Sequence, residues 1–479
     1  MVAASGPCLP SGGLSRFAGT RWRAFAIVTV TKSTSTSTSA TVRPAAAHRA
    51  GWRRWLQAVK SVGPGVVTGA SDDDPSGIAT YAQVGAKFGF GLLWTALITL
   101  PLMAAVQEIC DRTALATGKT LGELAHQAFG RWARAIIAVL LGALAVANVL
   151  NIAADLVAIG AGANLLHAGP VWLWALVAGL VITGLLLSGT FRFIELVFKV
   201  LCLALLAYLV VLFAVKVDWA QVALHTVIPH ITFNATYLSL LVAVLGTTIS
   251  PYLFFWQSGH RVEDMREEKA GGDKARGLRN RNGMAASWKL GTSRADVFTG
   301  MLLSNLVMFA IITVTAATIA THGGKDIGSA AQAAKALQPV AGSFAEYIFA
   351  LGFIGSGMLA VPVLAGSASF GLSGLLGKRS GYSRSPRQAP LFYSLVLAGT
   401  LGGTALTLTH TNPIRLLVLV ALINGIAAAP FLILVMLIAR RRDLMGKYRN
   451  GPLATTLGWT AVALMGAAAL ALIATGGGI

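Results

Sequence analysis

After about 50 residues of mixed character, the chain falls into long apolar runs separated by short polar connections. The runs lie near 62–82, 88–110, 134–161, 171–189, 194–216, 237–259, 295–320, 344–375, 389–409, 414–440 and 454–476. A helix needs about 20 apolar residues to cross the hydrocarbon core of a bilayer, so each run suffices for one span. The pattern predicts an all-α membrane protein of about eleven transmembrane helices, with residues 51–479 forming a single transmembrane transporter domain. Residues 1–50 differ: they hold a Ser/Thr run from Ser33 to Ser39 and scattered Arg, and their apolar piece Ala24–Val30 is too short to span. A disordered N-terminal tail is expected there.

Composition agrees: 55% of the residues are hydrophobic, 12% are charged and the mean hydropathy is +0.69. A soluble chain carries about 25% charged residues. The net charge of +20 is explained by topology rather than by nucleic acid, because the basic residues collect in alternate connections. Arg112, Lys119, Arg131 and Arg134 follow the second run, a basic series from Arg261 to Arg294 the sixth, Lys378 to Arg387 the eighth, and Arg440 to Arg449 the tenth. The opposite connections hold Lys87, Lys216, Lys325, Lys335 and Arg415. Positive charge marks the inner side, which predicts a multi-pass protein of the cell membrane with a cytoplasmic N-terminus. The stretch from about 260 to 294 is expected to be a solvated cytoplasmic loop. Cys8, Cys110 and Cys202 are too dispersed for a disulfide framework or a CxxC metal site.

Two runs are interrupted. The first reads GPGVVTGASDDDPSGIATYAQ from Gly63 to Gln83, with Asp72, Asp73 and Asp74 directly before Pro75. Carboxylates are costly in a membrane helix, Pro75 removes a backbone donor, and Gly69, Ser76 and Gly77 weaken the helix further. The sixth run reads LGTTISPYLFFWQSG from Leu245 to Gly259, with Thr247, Thr248 and Ser250 before Pro251. Backbone freed in mid-membrane needs a partner, and a cation suits both carbonyls and carboxylates. A pair of Gly/Pro-interrupted spans in corresponding positions of two halves points to a transporter's binding site.

At these residues the chain resembles the Nramp family of divalent metal transporters, from about Gly63 to Arg440. The family's GPG and DPGN elements match Gly63–Gly65 and Asp74-Pro75-Ser76-Gly77, and its GATxMPHNLxLHS pattern runs against Gly246 to Ser258. Asn151 to Leu166 and Ala114 to Ala125 are similar to further family stretches. The resemblance implies a LeuT-like 5+5 inverted repeat with broken helices 1 and 6, one extra helix and alternating access around a midplane ion. It also implies metal ligation by Asp74, Gly77, Thr247 and Ser250.

The departures bear on the ion. The family Asn is Gly77, its thioether-bearing Met is Ser250, its two His are Tyr252 and Gln257, and the span-3 Asp and Glu are Ile152 and Asp155. Thioether selects softer transition metals, whereas carboxylate, hydroxyl and carbonyl suit Mg²⁺, Ca²⁺ and Mn²⁺. The pattern resembles the Nramp-related magnesium transporter branch, with Mg²⁺ and Mn²⁺ as the expected cargo and proton coupling in doubt. Asp72, Asp73, Asp155 and Asn424 are candidates for a secondary metal site or relay, and Asn148 and Asn151 for bonds between helices. The competing readings are a proton-coupled Mn²⁺/Fe²⁺ importer and an organic-substrate carrier on the same scaffold, although three adjacent Asp would repel a substrate carboxylate. With no GxSxG, HExxH or His cluster, an enzyme is not expected, nor a cofactor. The expected partners are a divalent metal ion and the lipid bilayer.

Overall fold

The computed structural model of the chain describes residues 63–188, 191–232, 234–268, 271–272, 274–319, 344–409 and 413–474. The tail anticipated at 1–50 lies outside them. Among the described residues the secondary structure is helical, without strands.

The first run forms α1 (Pro64–Asp72) and α2 (Pro75–Phe88). A sharp bend leads from α2 into α3 (Trp94–Thr117), followed by the short α4 (Leu121–Ala128). Next come α5 (Arg131–Leu165), α6 (Val171–Ser188), α7 (Phe191–Leu201), α8 (Leu206–Ala214) and the short α9 (Trp219–Val227). The sixth run forms α10 (Ala235–Thr248) and α11 (Pro251–Glu267). The chain continues through α12 (Gly283–Thr318), α13 (Phe344–Leu375), α14 (Pro390–Leu406), α15 (Pro413–Arg440) and α16 (Pro452–Ala474). Every predicted run thus falls on helix.

Among the described residues, seven helices are long and apolar enough to cross a membrane by themselves, counting α10 with α11. The other four anticipated spans fall short for identifiable reasons. The first is split by its Asp run, α3 carries Glu108, Asp111 and Arg112, a 3-10 turn at Cys202–Leu205 divides α7 from α8, and α14 has only 17 residues.

The packing repeats between halves. The broken pair α1–α2 lies on α12 as α10–α11 lies on α3, and α5 packs on α6 as α13 packs on α14. The α5–α13 contact joins the halves. Close approach at α1–α12 depends on small residues. A Cβ on Gly69 would sit 2.1 Å from the Gly300 carbonyl oxygen, and one on Gly300 would sit 2.1 Å from that of Gly65. Gly65 and Gly69 form a small-xxx-small face, which lets two membrane helices approach to backbone contact. The sequence reading took Gly69 as a helix-weakening residue, and the structure adds this packing role.

Polarity is arranged for lipid. Val139, Val146, Phe213 and Leu470 are exposed on the outside, whereas Asp72, Asp73, Asp74, Asn148, Asn151 and Asp155 are buried. Asn148 donates to Leu364 O and Ser367 Oγ on α13, both at 2.9 Å, so it bonds a neighbouring helix as anticipated.

Candidate ion-binding site at the paired helix breaks

The α-helical pattern stops at Asp73 (φ −87°, ψ 51°), and Asp74 restarts it as the N-cap of α2 (φ −66°, ψ 169°). Pro75 fits the first position of a helix because its missing N–H has no partner to lose there. Asp74 Oδ1 accepts from Ser76 Oγ at 2.5 Å and from the Gly77 amide at 2.8 Å, and Oδ2 accepts from the Tyr252 hydroxyl at 3.1 Å. The Ser71 carbonyl is 3.3 Å from that hydroxyl. A Cβ at Gly77 would lie 3.3 Å from the Tyr81 ring and 3.4 Å from the Asp72 carbonyl oxygen, close to ordinary contact.

In the sixth span α10 ends at Thr248, Ile249 is non-helical, and Ser250 precedes Pro251 at the start of α11. The Ser250 hydroxyl is 2.6 Å from Gly246 O and 2.9 Å from Thr247 O, so it turns back onto the carbonyls that the break frees. The Thr247 hydroxyl donates to Val244 O at 2.9 Å and lies 3.1 Å from that of Tyr81. Of the predicted ligands, Asp74 and Gly77 therefore form one turn, and Thr247 and Ser250 another.

Tyr252 links the breaks. Its hydroxyl, carried by α11, donates to Asp74 across the gap between the two spans. Asp155 of α5 is buried, and neither of its carboxylate oxygens has a hydrogen-bond partner. Asn424 is buried, its amide also unpartnered, on the stretch of α15 where Ala421 and Gly425 pack against Gly246. Among the described residues, no three His, Cys, Asp or Glu side chains converge closely enough to hold a metal ion.

At the end where α1 begins, the bundle is tied shut. Asp296 of α12 accepts from the Gly65 amide at 2.8 Å, satisfying a helix-start donor. Arg261 of α11 reaches Asp296 at 3.1 Å, Asp111 of α3 at 2.5 Å and Asp264 at 3.1 Å while only 3% exposed. Gln257 also donates to Asp111 at 2.7 Å, and Ser293 bonds its other oxygen. This corrects the expectation of a solvated loop from about 260: α11 runs on to Glu267, and its basic and acidic residues are knitted into the bundle.

Residues 65–475 match the family described as Natural resistance-associated macrophage protein-like, Nramp. The chain belongs to the Nramp family. Its relatives include proteins named divalent metal cation transporter MntH. That of Acidiphilium cryptum is 27% identical over 440 residues, covering 90% of this chain and 93% of that protein. That of Deinococcus radiodurans is 27% identical over 430 residues, covering 88% and 90%. The fold is similar to a crystal structure of the Eremococcus coleocola manganese transporter in complex with an aromatic bis-isothiourea substituted compound. The TM-score is 0.69 at 16% identity, covering 88% of this chain and 87% of that one. It is also similar to Mhp1, a nucleobase-cation-symport-1 family transporter, in a closed conformation, with a TM-score of 0.52 at 15% identity over 87% and 93% of the chains. These likenesses support the all-α inverted-repeat fold, and the relatives are named as transporters, not enzymes.

Within this Nramp fold, several residues at the breaks were not anticipated as participants. Tyr252 entered only as the replacement of a family His, yet it is a direct donor to Asp74. Ser304 of α12 donates to Asp72 Oδ2 at 2.8 Å and lies 3.4 Å from Asp73 Oδ1. A lone Ser or Tyr in an apolar run carries no sequence signal of its own.

Proposed function

We propose that this chain carries divalent metal ions into the cell by alternating access, through an oxygen-lined site that accepts Mg²⁺ as well as Mn²⁺. The observation that carries the reading is the donor set at the two breaks. Asp72, Asp73, Asp74, Thr247, Ser250 and Tyr252 are buried and offer only oxygen, the chemistry preferred by hard ions. Family membership, and relatives named as divalent metal cation transporters, support the ion class. With the N-terminus placed inside by the positive-inside pattern, the Arg261 network closes the cytoplasmic end. The membrane potential then favours entry of a cation.

The chain's own groups supply a simple sequence of events. Asp74 is held at the break by Ser76, the Gly77 amide and Tyr252. An arriving cation takes over the role of the Tyr252 hydroxyl at Oδ2 and draws on the carbonyls of Gly246 and Thr247 once Ser250 releases them. Parting of Arg261 from Asp111 and Asp296 then opens the inner end. Proton coupling is not part of this reading, because Ile152, Tyr252 and Gln257 stand where the family's titratable route runs.

A second reading, a proton-coupled Mn²⁺/Fe²⁺ importer, rests on Asp155, which is buried with both carboxylate oxygens unpartnered. Uptake into proteoliposomes under a negative-inside potential separates the two. Entry of both Mg²⁺ and Mn²⁺ without internal acidification, lost in Asp74→Ala, is expected. Entry of Mn²⁺ alone with acidification would establish the second reading instead.

A further inference from the structure

We infer that a basic cavity at the end of the bundle where α1 begins binds a polyphosphate anion, and that the bound anion holds that end closed. The site stands on geometry away from the two breaks; its effect on closure rests on the proposed opening of that end.

Four separate segments meet there. A cavity of about 650 Å³ is lined by Lys119 from the α3–α4 link, Arg266 from the end of α11, Lys274 from the α11–α12 connection, and Arg379 and Arg384 from the α13–α14 connection. A second, of about 240 Å³, shares Lys119, Arg266, Arg379 and Arg384. Small-ligand sites enclose about 300–1,000 Å³, so the larger cavity has room for one. Glu123 is the one carboxylate among the described lining residues, and its Oε2 accepts from the Thr120 amide at 2.8 Å in the cap of α4.

The cations are poorly compensated. Lys119 Nζ donates at 2.9 Å to Gln127 Oε1, a neutral amide. Lys274 and Arg379 are exposed. The Arg266 side chain is only 8% exposed; its Nη1 bonds Glu263 and Ser380 O, but its buried Nε has no partner. A buried donor left unmatched needs an explanation, and like charges gathered from four segments repel one another. The positive-inside bias asks only that Lys and Arg lie on one side of the membrane. It does not require them to converge on one cavity or to bury Arg266 beside it.

The lining selects the ligand. A metal cation is repelled. Arginine forks match phosphate oxygens and lysine adds point charge, so several cations around one cavity suit an anion with several phosphates. No aromatic ring lines either cavity among the described residues. A nucleobase has nothing to stack on, and recognition follows phosphate number. The consequence for closure comes from α11. Arg266 lies just beyond Arg261 on that helix, and Lys119 just beyond the end of α3. An anion that engages both adds a second tie between α11 and α3, which the Arg261–Asp111 pair already joins.

The test uses the full chain in phosphatidylcholine nanodiscs, with EDTA present so that the probe chelates no divalent ion. Calorimetric titration with sodium tripolyphosphate is expected to show one equivalent bound, weakened by salt, with ATP comparable and inorganic phosphate at least tenfold weaker. Arg379→Gln combined with Lys274→Gln, both at exposed positions, is expected to weaken binding at least tenfold. Arg131→Gln, exposed at the start of α5 and outside the cavity, is expected to leave it unchanged. Loss of the titration when cardiolipin is added to the discs would assign the cavity to a phosphate-bearing lipid headgroup; an unchanged titration would assign it to a soluble polyphosphate. No saturable binding in phosphatidylcholine, or equal weakening by Arg131→Gln, overturns the site. Tripolyphosphate is also expected to slow thiol labelling of Ser71→Cys from that end several-fold in the parent and not in the double variant. Binding without slower labelling overturns the effect on closure and leaves the site standing.

Discussion

Arg261→Gln should release the end of the bundle where α1 begins. The side chain joins α11 to α3 through Asp111 and to α12 through Asp296, and Asp296 holds the first amides of α1. Removing one partner of a buried ion pair costs about 3–5 kcal/mol. The loss here belongs at the lower end, because each acid keeps another donor: Asp111 has Gln257 and Ser293, Asp296 has the Gly65 amide, and Asp264 has Lys289 at 3.0 Å. On the proposed cycle these contacts part when that end opens, so about 3 kcal/mol shifts the closed-to-open ratio by roughly a hundredfold. The assay is thiol labelling at Ser71→Cys in a background lacking Cys8, Cys110 and Cys202. Ser71 is fully buried, and its carbonyl faces Tyr252. A membrane-impermeant reagent applied to the side where α1 begins should react with Arg261→Gln far faster than with the parent. Arg276→Gln, at an exposed arginine bonded to Asn280 O, should leave the rate alone. An Arg261→Gln rate equal to the parent's would refute the assignment of this network as the closure of that end.

Three further outcomes are expected. Ser250→Met restores a thioether at the second break and removes the hydroxyl that engages Gly246 O and Thr247 O; competition uptake should shift several-fold from Mg²⁺ toward Mn²⁺ and Cd²⁺, following ligand softness. Gly69→Leu forces a side chain into the Gly300 backbone and should cost about 1–3 kcal/mol or more as overpacking, read as a lower melting temperature and a loss of folded protein in detergent. Thr120→Ala removes one half of the Thr120–Glu123 capping box of α4 and should cost about 1 kcal/mol, a small fall in melting temperature with uptake retained.

The spans and both breaks were legible because their signals are local. An apolar run about 20 residues long admits few alternatives, and a proline after carboxylates or hydroxyls contradicts the run around it. Asp74 could be placed for the same reason. What escaped was non-local. Gly69 read as a weak helix former until Gly300, far along the chain, supplied the surface that it and Gly65 fit. Arg261 fell in a stretch of mixed charge that resembles a solvated loop, and only Asp111 and Asp296 from other helices make it a buried clasp. Ser304 is a single polar residue in an apolar run, and its meaning comes from the carboxylates it meets in space.

The two breaks differ in how they settle their freed groups, and the difference bears on how an ion is handled. At the second break the Ser250 hydroxyl covers the carbonyls of Gly246 and Thr247, so the backbone is satisfied without a ligand. At the first break the oxygens stay open: Asp72 Oδ1 and Asp73 Oδ2 have no partner, and Asp74 is held by donors that a cation can replace. Affinity for a cation should therefore reside mainly in the first span, while the sixth closes over the ion by giving up weak neutral bonds. Tyr252 is the point where they communicate, because it belongs to α11 yet donates to Asp74. An ion that displaces this bond also loosens α11, the helix that carries Arg261 to the inner closure. On the proposed reading, occupancy at the breaks and release at the end where α1 begins are joined through this one helix.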